Sequence, residues 1–241
     1  MKKVCLAIAT LLVLASCSNK DQAKDLTLTG TIKGLKTGTV YIQKYQDTSL
    51  VVLDSIKIDG NSSFESQLDL AEPEMLYIVL DRGVTSTIDN SLLVFAEPGK
   101  IDVQTDLKHF YANAKVTGSK NHELYENYRK MNSKFNDQLH DLLQLDMDNF
   151  KAGKSTNTAE ITEKRNLVLK RKYLAAINFA VNHKEYEIAP FIALSEISDA
   201  NVKYLDTISK SLTPKVSSSK YGKMLGDYIE MRKEDQAAVT K

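Results

Sequence analysis

The four histidines of this chain, His109, His122, His140 and His183, are the first candidates for metal or acid–base chemistry. Two imidazoles can bind zinc from one helix when they stand four residues apart, as in HxxxH or HExxH. No pair here has that spacing. The sequence therefore predicts solvated surface histidines, and only a site assembled from distant segments stays open as an alternative.

Carboxylates form the second set of candidates, because clustered Asp side chains can hold calcium. An EF-hand loop needs oxygen ligands at its first, third and fifth positions and glycine at its sixth. A loop that starts at Asp146 supplies Asp148, but it places Phe150 and Lys151 at the fifth and sixth positions. The sequence therefore predicts a polar helix end here rather than a calcium site.

Three further residues could take part in acid–base catalysis, namely Asp54, Ser55 and Glu97. Such catalysis needs a second group within hydrogen-bond reach, and the spacing along the chain supplies none. We expect Asp54 and Ser55 to bond to nearby backbone at a bulge or sheet edge, and Glu97 to be solvated.

Other catalytic patterns are missing from the sequence. There is no glycine-rich phosphate motif, and Ser195 lies in ALSEI rather than in the GxSxG of a nucleophile elbow. The basic run 170–172 reads as a solvated helix face, and a net charge of +1 gives no field that would attract nucleic acid. We predict no catalytic residue, no cofactor and no enzymatic activity.

The N-terminus has the layout of a secretory signal peptide. Lys2 and Lys3 precede the run 4–15, which is apolar except for Thr10 and is too short to span a bilayer. Residues 1–16 are therefore predicted to be removed. Their loss takes away two lysines and no acid, so the formal charge changes from +1 to −1.

The residues at the predicted cleavage site, Leu14-Ala15-Ser16-Cys17, closely resemble the bacterial lipobox. The resemblance implies cleavage before Cys17 and a lipid anchor on that cysteine, with residues 17–24 as lipidated cysteine and polar tether. The alternative is a signal peptide cut for simple release, which leaves Cys17 as an unpaired thiol in an oxidising compartment. Because Cys5 leaves with the signal, we expect a mature fold without a disulfide or a free thiol.

The residues after the cysteine, Ser18 and Asn19, do not resemble a signal for retention in the inner membrane. We therefore expect an outer-membrane lipoprotein that faces the periplasm or the cell surface.

Residues 25–118 carry the pattern of seven to nine short strands. Leu26, Leu28, Gly30 and Ile32 alternate with polar positions, and the turn pairs 59–60 and 98–99 separate later apolar runs. A hydrophobic content of 42% is sufficient for a packed core. This pattern predicts an antiparallel β-sandwich or a barrel-like domain.

Residues 119–236 change to a helical period, so the predicted fold class is α+β. Ser119 is placed to cap a helix of about six turns, and Asn157 with Glu160 resembles the capping box of a second that ends near Val181. The predicted apolar sides are Leu124, Tyr128, Met131, Phe135, Leu139, Leu142 and Leu145 on the first helix, and Ile161, Leu167, Leu174 and Ile177 on the second. Two long helices with a short loop predict an antiparallel hairpin. Shorter helices follow over 190–197, 202–212 and 220–234, and residues 237–241 are predicted to fray.

An ordered set of short motifs carries a family resemblance. The motifs are the segments 54–56, 59–60, 95–99 and 116–119, together with Phe64. As a set they resemble an uncharacterised β-rich domain of envelope lipoproteins from Gram-negative bacteria. In that family the domain commonly precedes a thioredoxin-like or peroxiredoxin-like module. The resemblance covers roughly residues 26–119. We expect this chain to lack the redox module, because it ends soon after the segment 220–222.

Three functions remain open on the sequence. The first is a membrane-anchored, non-catalytic binding or scaffold module of the cell envelope, with an envelope protein as a partner or a small ligand. The second is an accessory subunit that acts in trans with a thioredoxin-like protein in thiol–disulfide or peroxide handling, which rests on the resemblance alone. The third is a carboxylate-based hydrolase, for which a pocket with two close carboxylates would be required.

Overall fold

The computed structural model describes residues 24–83, 90–153 and 158–239. The predicted signal peptide, the lipid site at Cys17, most of the tether, and Asn157 of the second capping box lie outside the described residues.

Eight strands of the described residues build two four-stranded sheets. The strands are β1 (Leu26–Lys33), β2 (Thr37–Gln46), β3 (Ser49–Asp59), β4 (Ser63–Leu68), β5 (Glu74–Asp81), β6 (Ser91–Ala96), β7 (Gly99–Asp106) and β8 (Lys115–Thr117). One sheet has the order β4-β1-β7-β8 and the other the order β3-β2-β5-β6. Inward residues of both sheets form one apolar cluster, for example Leu28 and Val103 from the first and Ile42 and Ile78 from the second. The sheets therefore pack as a sandwich.

The predicted α+β class is confirmed, but one strand pair departs from a wholly antiparallel sandwich. β1 pairs with β7 in parallel, in a register that joins Leu26 to Gly99 and Lys33 to Asp106. The alternation of β1 is as predicted, with Leu26, Leu28 and Ile32 buried. Alternation specifies which side chains face the core and is the same beside a parallel or an antiparallel neighbour, so the sequence pattern could not reveal this pairing.

Six helices follow the sandwich in the described part of the chain. They are α1 (Lys120–Lys151), α2 (Thr158–Asn182), α3 (Ile188–Glu196), α4 (Val202–Ser211), α5 (Pro214–Ser217) and α6 (Lys220–Val239). Ser119 caps α1 as predicted, because its side-chain oxygen accepts from the backbone N–H of His122. α6 runs past Glu234, where the last helix was predicted to end. No described helix is both long enough and apolar enough to cross a membrane.

The α1–α2 hairpin packs on the body of the protein only at its base. The buried residues of α1 end at Asn132, and Leu145 is exposed. Leu167 and Leu174 of α2 are also exposed, although the sequence placed all three on apolar, packed sides. The physical reason is that the outer half of the hairpin has only its own partner helix, whereas nearer the base, where α4 packs on α2, Leu174 borders an open cavity beside Tyr204.

Candidate binding site

Asp54 and Ser55 lie where the sequence placed them, at a bulge in the edge strand β3. The register with β2 shifts after the pair Ile42–Asp54, so that Gln43 pairs with Val52. Asp54 accepts hydrogen bonds from the backbone N–H of Ser55, at 2.7 Å, and from the hydroxyl of Ser66. These bonds stabilise the bulge. Neither donor is a group that could act as a second acid or base beside Asp54.

Glu97 is not simply solvated, which corrects the sequence-based expectation. Its carboxylate accepts from the backbone N–H of Lys120 at 2.7 Å and of Asn121 at 3.3 Å. These donors belong to the first turn of α1 and have no partner within the helix. Glu97 therefore fastens the N-terminus of α1 to the end of β6, where its charge also complements the helix dipole.

Asn121 extends this contact to a second carboxylate. Its side-chain amide donates to Glu97 at 2.9 Å and to Glu187 at 3.1 Å, and its oxygen accepts from the backbone N–H of Ile188. Asn121 and Glu187 are both buried. The starts of α1 and α3 and the end of β6 thus meet in one hydrogen-bonded junction.

The start of α6 is fastened to the sandwich in the same way. Glu72, just before β5, accepts from the backbone N–H of Lys220 at 2.8 Å. Glu72 and Glu97 occur in two copies of the tripeptide Ala-Glu-Pro, and the helices that they cap both begin at the lysine of a Ser-Lys pair, 119–120 and 219–220. Because Glu74 pairs with Ala96 across β5 and β6, the two tripeptides lie at the same end of the sheet.

A cleft of about 510 Å³ opens between these two capped helix ends. It is lined by four glutamates, Glu72, Glu97, Glu185 and Glu187, and by Lys120 and Lys215. A pocket with two close carboxylates is the feature that a carboxylate-based hydrolase would require. Glu72 and Glu97 already accept backbone N–H groups, and Glu187 accepts from Asn121. Within 24–83, 90–153 and 158–239, no set of three or more His, Asp or Glu side chains is arranged to hold a metal ion.

His122 is buried, at 3% exposure, which corrects the expectation that it is solvated. Its Nδ1 accepts from the backbone N–H of Phe95 at 3.2 Å, and Ser119 donates its hydroxyl to the carbonyl of the same residue. The backbone N–H and the carbonyl of Phe95, in the edge strand β6, thus both have hydrogen-bond partners. Burial lowers the pKa of His122 to about 4, so the ring is neutral at pH 7.

The other three histidines are not brought together. His109 and His140 are exposed, as predicted, and His183 is partly buried against Phe179, with ring centroids 4.2 Å apart. No imidazole therefore faces the cleft.

An aromatic pocket of about 360 Å³ lies beside the cleft, between the sheet of β2 and β5 and helices α3 and α6. Its walls are the rings of Tyr45, Tyr77, Phe191 and Tyr221 with the side chains of Met75 and Met224. Tyr45 and Tyr77 stand edge to face with centroids 5.3 Å apart, and Phe191 and Tyr221 do so at 5.2 Å. Such a pocket is concave, mostly apolar and within the size range of small-ligand sites.

The rings are fixed by the junction itself. The hydroxyl oxygen of Tyr221 accepts a hydrogen bond from the backbone N–H of Met75, at 3.0 Å. Burial raises the pKa of Tyr221 and of Tyr77, so both phenols stay neutral at pH 7. The walls therefore offer neutral π-faces in a preformed arrangement.

The charged groups of this pocket are unequal in their partners. Buried Glu74 pairs with Lys220 and, at 3.0 Å, with Lys44, so one carboxylate is shared by two lysines and this group keeps one positive charge. Asp47, at the β2–β3 turn, also lines the pocket, and no ion pair to it is found in the described part of the chain. The two carboxylates and the two lysines together therefore carry no net charge.

Neither the caps nor the pocket is predicted by the sequence patterns above. The repeated Ala-Glu-Pro and the repeated Ser-Lys at two helix starts were the available signal for the caps. Nothing comparable marks the pocket, because its rings come from β2, β5, α3 and α6, which are far apart along the chain.

Comparison with known proteins identifies the first part of the chain. Residues 26–125 match the family model described as a domain of unknown function, DUF4369. The match covers the sandwich and the first residues of α1, which confirms the resemblance to an uncharacterised β-rich domain. No curated protein matches the chain.

Proposed function

Since residues 26–125 carry a DUF4369 domain, whose function is unknown, we propose from the site itself that this protein is a lipid-anchored binding protein of the bacterial cell envelope. The observation that carries the binding role is the aromatic pocket between the sandwich and helices α3 and α6.

The anchor rests on the sequence around Cys17. Each acyl CH₂ buried in a bilayer contributes about 0.8 kcal/mol, and a single chain gives only marginal attachment. A diacylglycerol on Cys17 supplies two chains, which is sufficient for stable residence. The outer membrane is the proposed location, with the folded body facing the periplasm or the cell surface.

The ligand is proposed to be a small, flat and largely apolar molecule. Four aromatic rings and two methionines favour a flat apolar body.

Photocrosslinking in the native envelope tests this proposal. A benzophenone amino acid replaces Met224 at the pocket, and a matched variant carries it at the exposed Tyr111, outside the pocket. We expect irradiation of intact cells to add a small-molecule mass at position 224 and not at position 111. The same small adduct at both positions, or none at 224, would contradict a specific pocket.

A protein captured at position 224 would replace this proposal with a scaffold role. If that protein were thioredoxin-like, the accessory function in thiol–disulfide or peroxide handling would be the better account.

A carboxylate-based hydrolase is the second candidate, favoured by the binding of Glu97 and Glu187 to the same amide of Asn121. The hydrogen bonds that both carboxylates already accept count against it. A panel of chromogenic esters and glycosides tests it, with Glu187→Gln as the paired variant. Turnover by the wild type that is lost in this variant would support hydrolysis, and no turnover would leave the binding role.

A further inference from the structure

The outer half of α1 presents an apolar stripe that nothing in the described chain covers. Leu143, Met147 and Phe150 follow one another at steps of four and three, so they share one face of the helix. Phe150 is 87% exposed, and the other two are about half exposed. A two-helix hairpin has no third layer against which to bury such a stripe.

α2 presents a matching apolar surface near the base of the hairpin. Leu167 and Leu174 are exposed and stand seven residues apart, which is also the spacing of Leu143 and Phe150. Leu174 lies in a cavity of about 240 Å³ between α2 and α4, lined also by Leu169, Tyr173 and Tyr204. Tyr173 donates its hydroxyl to Asp199 at 2.6 Å, which fixes one wall.

The two helices carry opposite charges beside these stripes. Residues 137–148 of α1 contain four aspartates and no Lys or Arg, whereas residues 164–172 of α2 contain five Lys or Arg and no acid. Among the described residues, no ion pair joins the two groups across the hairpin. Lys164 pairs with Glu160 on the same helix, and Lys172 donates to Asn136. Lys170, Arg171 and the aspartates are therefore the charges available to a partner.

We infer that a second copy of this chain docks on the hairpin in antiparallel orientation, so that Phe150 of each copy enters the α2–α4 cavity of the other. The shared seven-residue spacing then places Leu143 of one copy on Leu167 of the other when Phe150 meets Leu174. The aspartates of α1 lie beside the basic residues of the opposite α2. Each copy supplies one protruding ring and one cavity, so the contact is self-complementary and closes as a two-fold dimer.

A tip-to-tip dimer does not satisfy the same surfaces. Asn136 of α1 accepts a hydrogen bond from Lys172 of α2 at 3.0 Å. These two residues therefore lie at the same height along the hairpin. Phe150 lies fourteen residues beyond Asn136, about 21 Å along the helix axis. Side-by-side hairpins with both tips together therefore leave Phe150 far from the partner's cavity.

Cysteine crosslinking of the full lipid-anchored protein in its membrane distinguishes these arrangements. The variants Phe150→Cys and Leu174→Cys are expressed separately and together and treated with a short bis-maleimide. We expect a crosslinked dimer from the mixture and only background from either variant alone. A dimer from Phe150→Cys alone would establish a tip-to-tip contact and overturn the proposal, as would the absence of any crosslink.

Charge reversal supplies a second measurement that does not depend on the cysteines. The pair Lys170→Glu and Arg171→Glu should convert the detergent-solubilised dimer to monomer by sedimentation, and so should Asp146→Lys with Asp148→Lys. Mixing the two variant proteins should restore a dimer, because the charges are then complementary at both contacts. A monomeric wild type, or reversal variants that remain dimeric, would refute the inference. The aromatic pocket is not part of this surface, so failure here leaves the proposed binding role unaffected.

Discussion

The carboxylate of Glu97 accepts hydrogen bonds from the backbone N–H groups of both Lys120 and Asn121. Because Glu97 directly follows β6, these bonds connect the end of that strand to the first turn of α1. Glu72 makes the equivalent contact with Lys220 at the start of α6. These two contacts set where the helical region stands on the sandwich. They also bring Phe191 and Tyr221 opposite Tyr45 and Tyr77, and thereby form the aromatic pocket.

Replacement of Glu97 by Gln is expected to destabilise the protein. The amide retains one acceptor oxygen but loses the negative charge at the helix N-terminus, which we expect to lower the free energy of unfolding by about 1 kcal/mol. Urea denaturation measures the change. Glu185→Gln is the matched control, since Glu185 lines the same cleft and caps no helix. Equal stability of the Glu97 variant and wild type would show that the cap does not hold α1.

Acid is expected to destabilise the fold through His122. Its pKa is about 4 when folded and near 6.5 when unfolded, so the unfolded state binds the extra proton between these values. The free energy of unfolding should therefore fall as the pH drops from about 6.5 to about 4, by about 3 kcal/mol in total from this group.

The variant His122→Gln isolates that contribution. Glutamine can still accept from the N–H of Phe95 but does not titrate, so its stability should change less over the same pH range. His109→Gln, at an exposed site, should keep the wild-type pH dependence. If the His122 variant showed the same acid sensitivity as wild type, titration of other groups would be responsible; the raised pKa of neighbouring Glu126 would act in the opposite direction, because its protonation favours the folded state.

Replacement of either of two glycines in α6 by alanine is expected to change the free energy of unfolding, in opposite directions. A Cβ at Gly222 would lie 2.1 Å from the carbonyl oxygen of Val216, whereas a Cβ at Gly226 meets no atom within 4 Å. Gly222→Ala should therefore lower the free energy of unfolding by about 1–3 kcal/mol, because backbone has to move. Gly226→Ala should raise it by about 0.5–1 kcal/mol through helix propensity. Thermal denaturation of both variants measures the difference, and a neutral Gly222→Ala would contradict the close approach of α5 and α6.

Cys17→Ser is expected to abolish lipid attachment. Metabolic labelling with an alkyne fatty acid should give no signal, and the product should remain uncleaved or become soluble. Cys5→Ser provides the control, because Cys5 lies within the apolar core of the predicted signal peptide and should leave labelling intact. A normally labelled Cys17 variant would rule out the anchor.

The sequence alone determined the parts of this protein that depend on local pattern. Alternation at Leu26, Leu28 and Ile32 gave β1 its buried face, and the hydroxyl of Ser119 marked the start of α1, because strand faces and helix caps are set by residues close together in the chain. The class of the fold and the long helical hairpin followed from the change of period near residue 119.

Only the tertiary structure decided which distant residues meet. The parallel pairing of β1 with β7, the burial of His122, and the bonds from Glu97 and Glu187 to Asn121 all join segments that are separated along the chain. The four rings of the pocket come together for the same reason. The hydrophobic period of a sequence indicates whether a side chain is buried but not which residues it packs against. Burial of apolar surface is non-directional, so the packing partners are selected only when the whole chain folds.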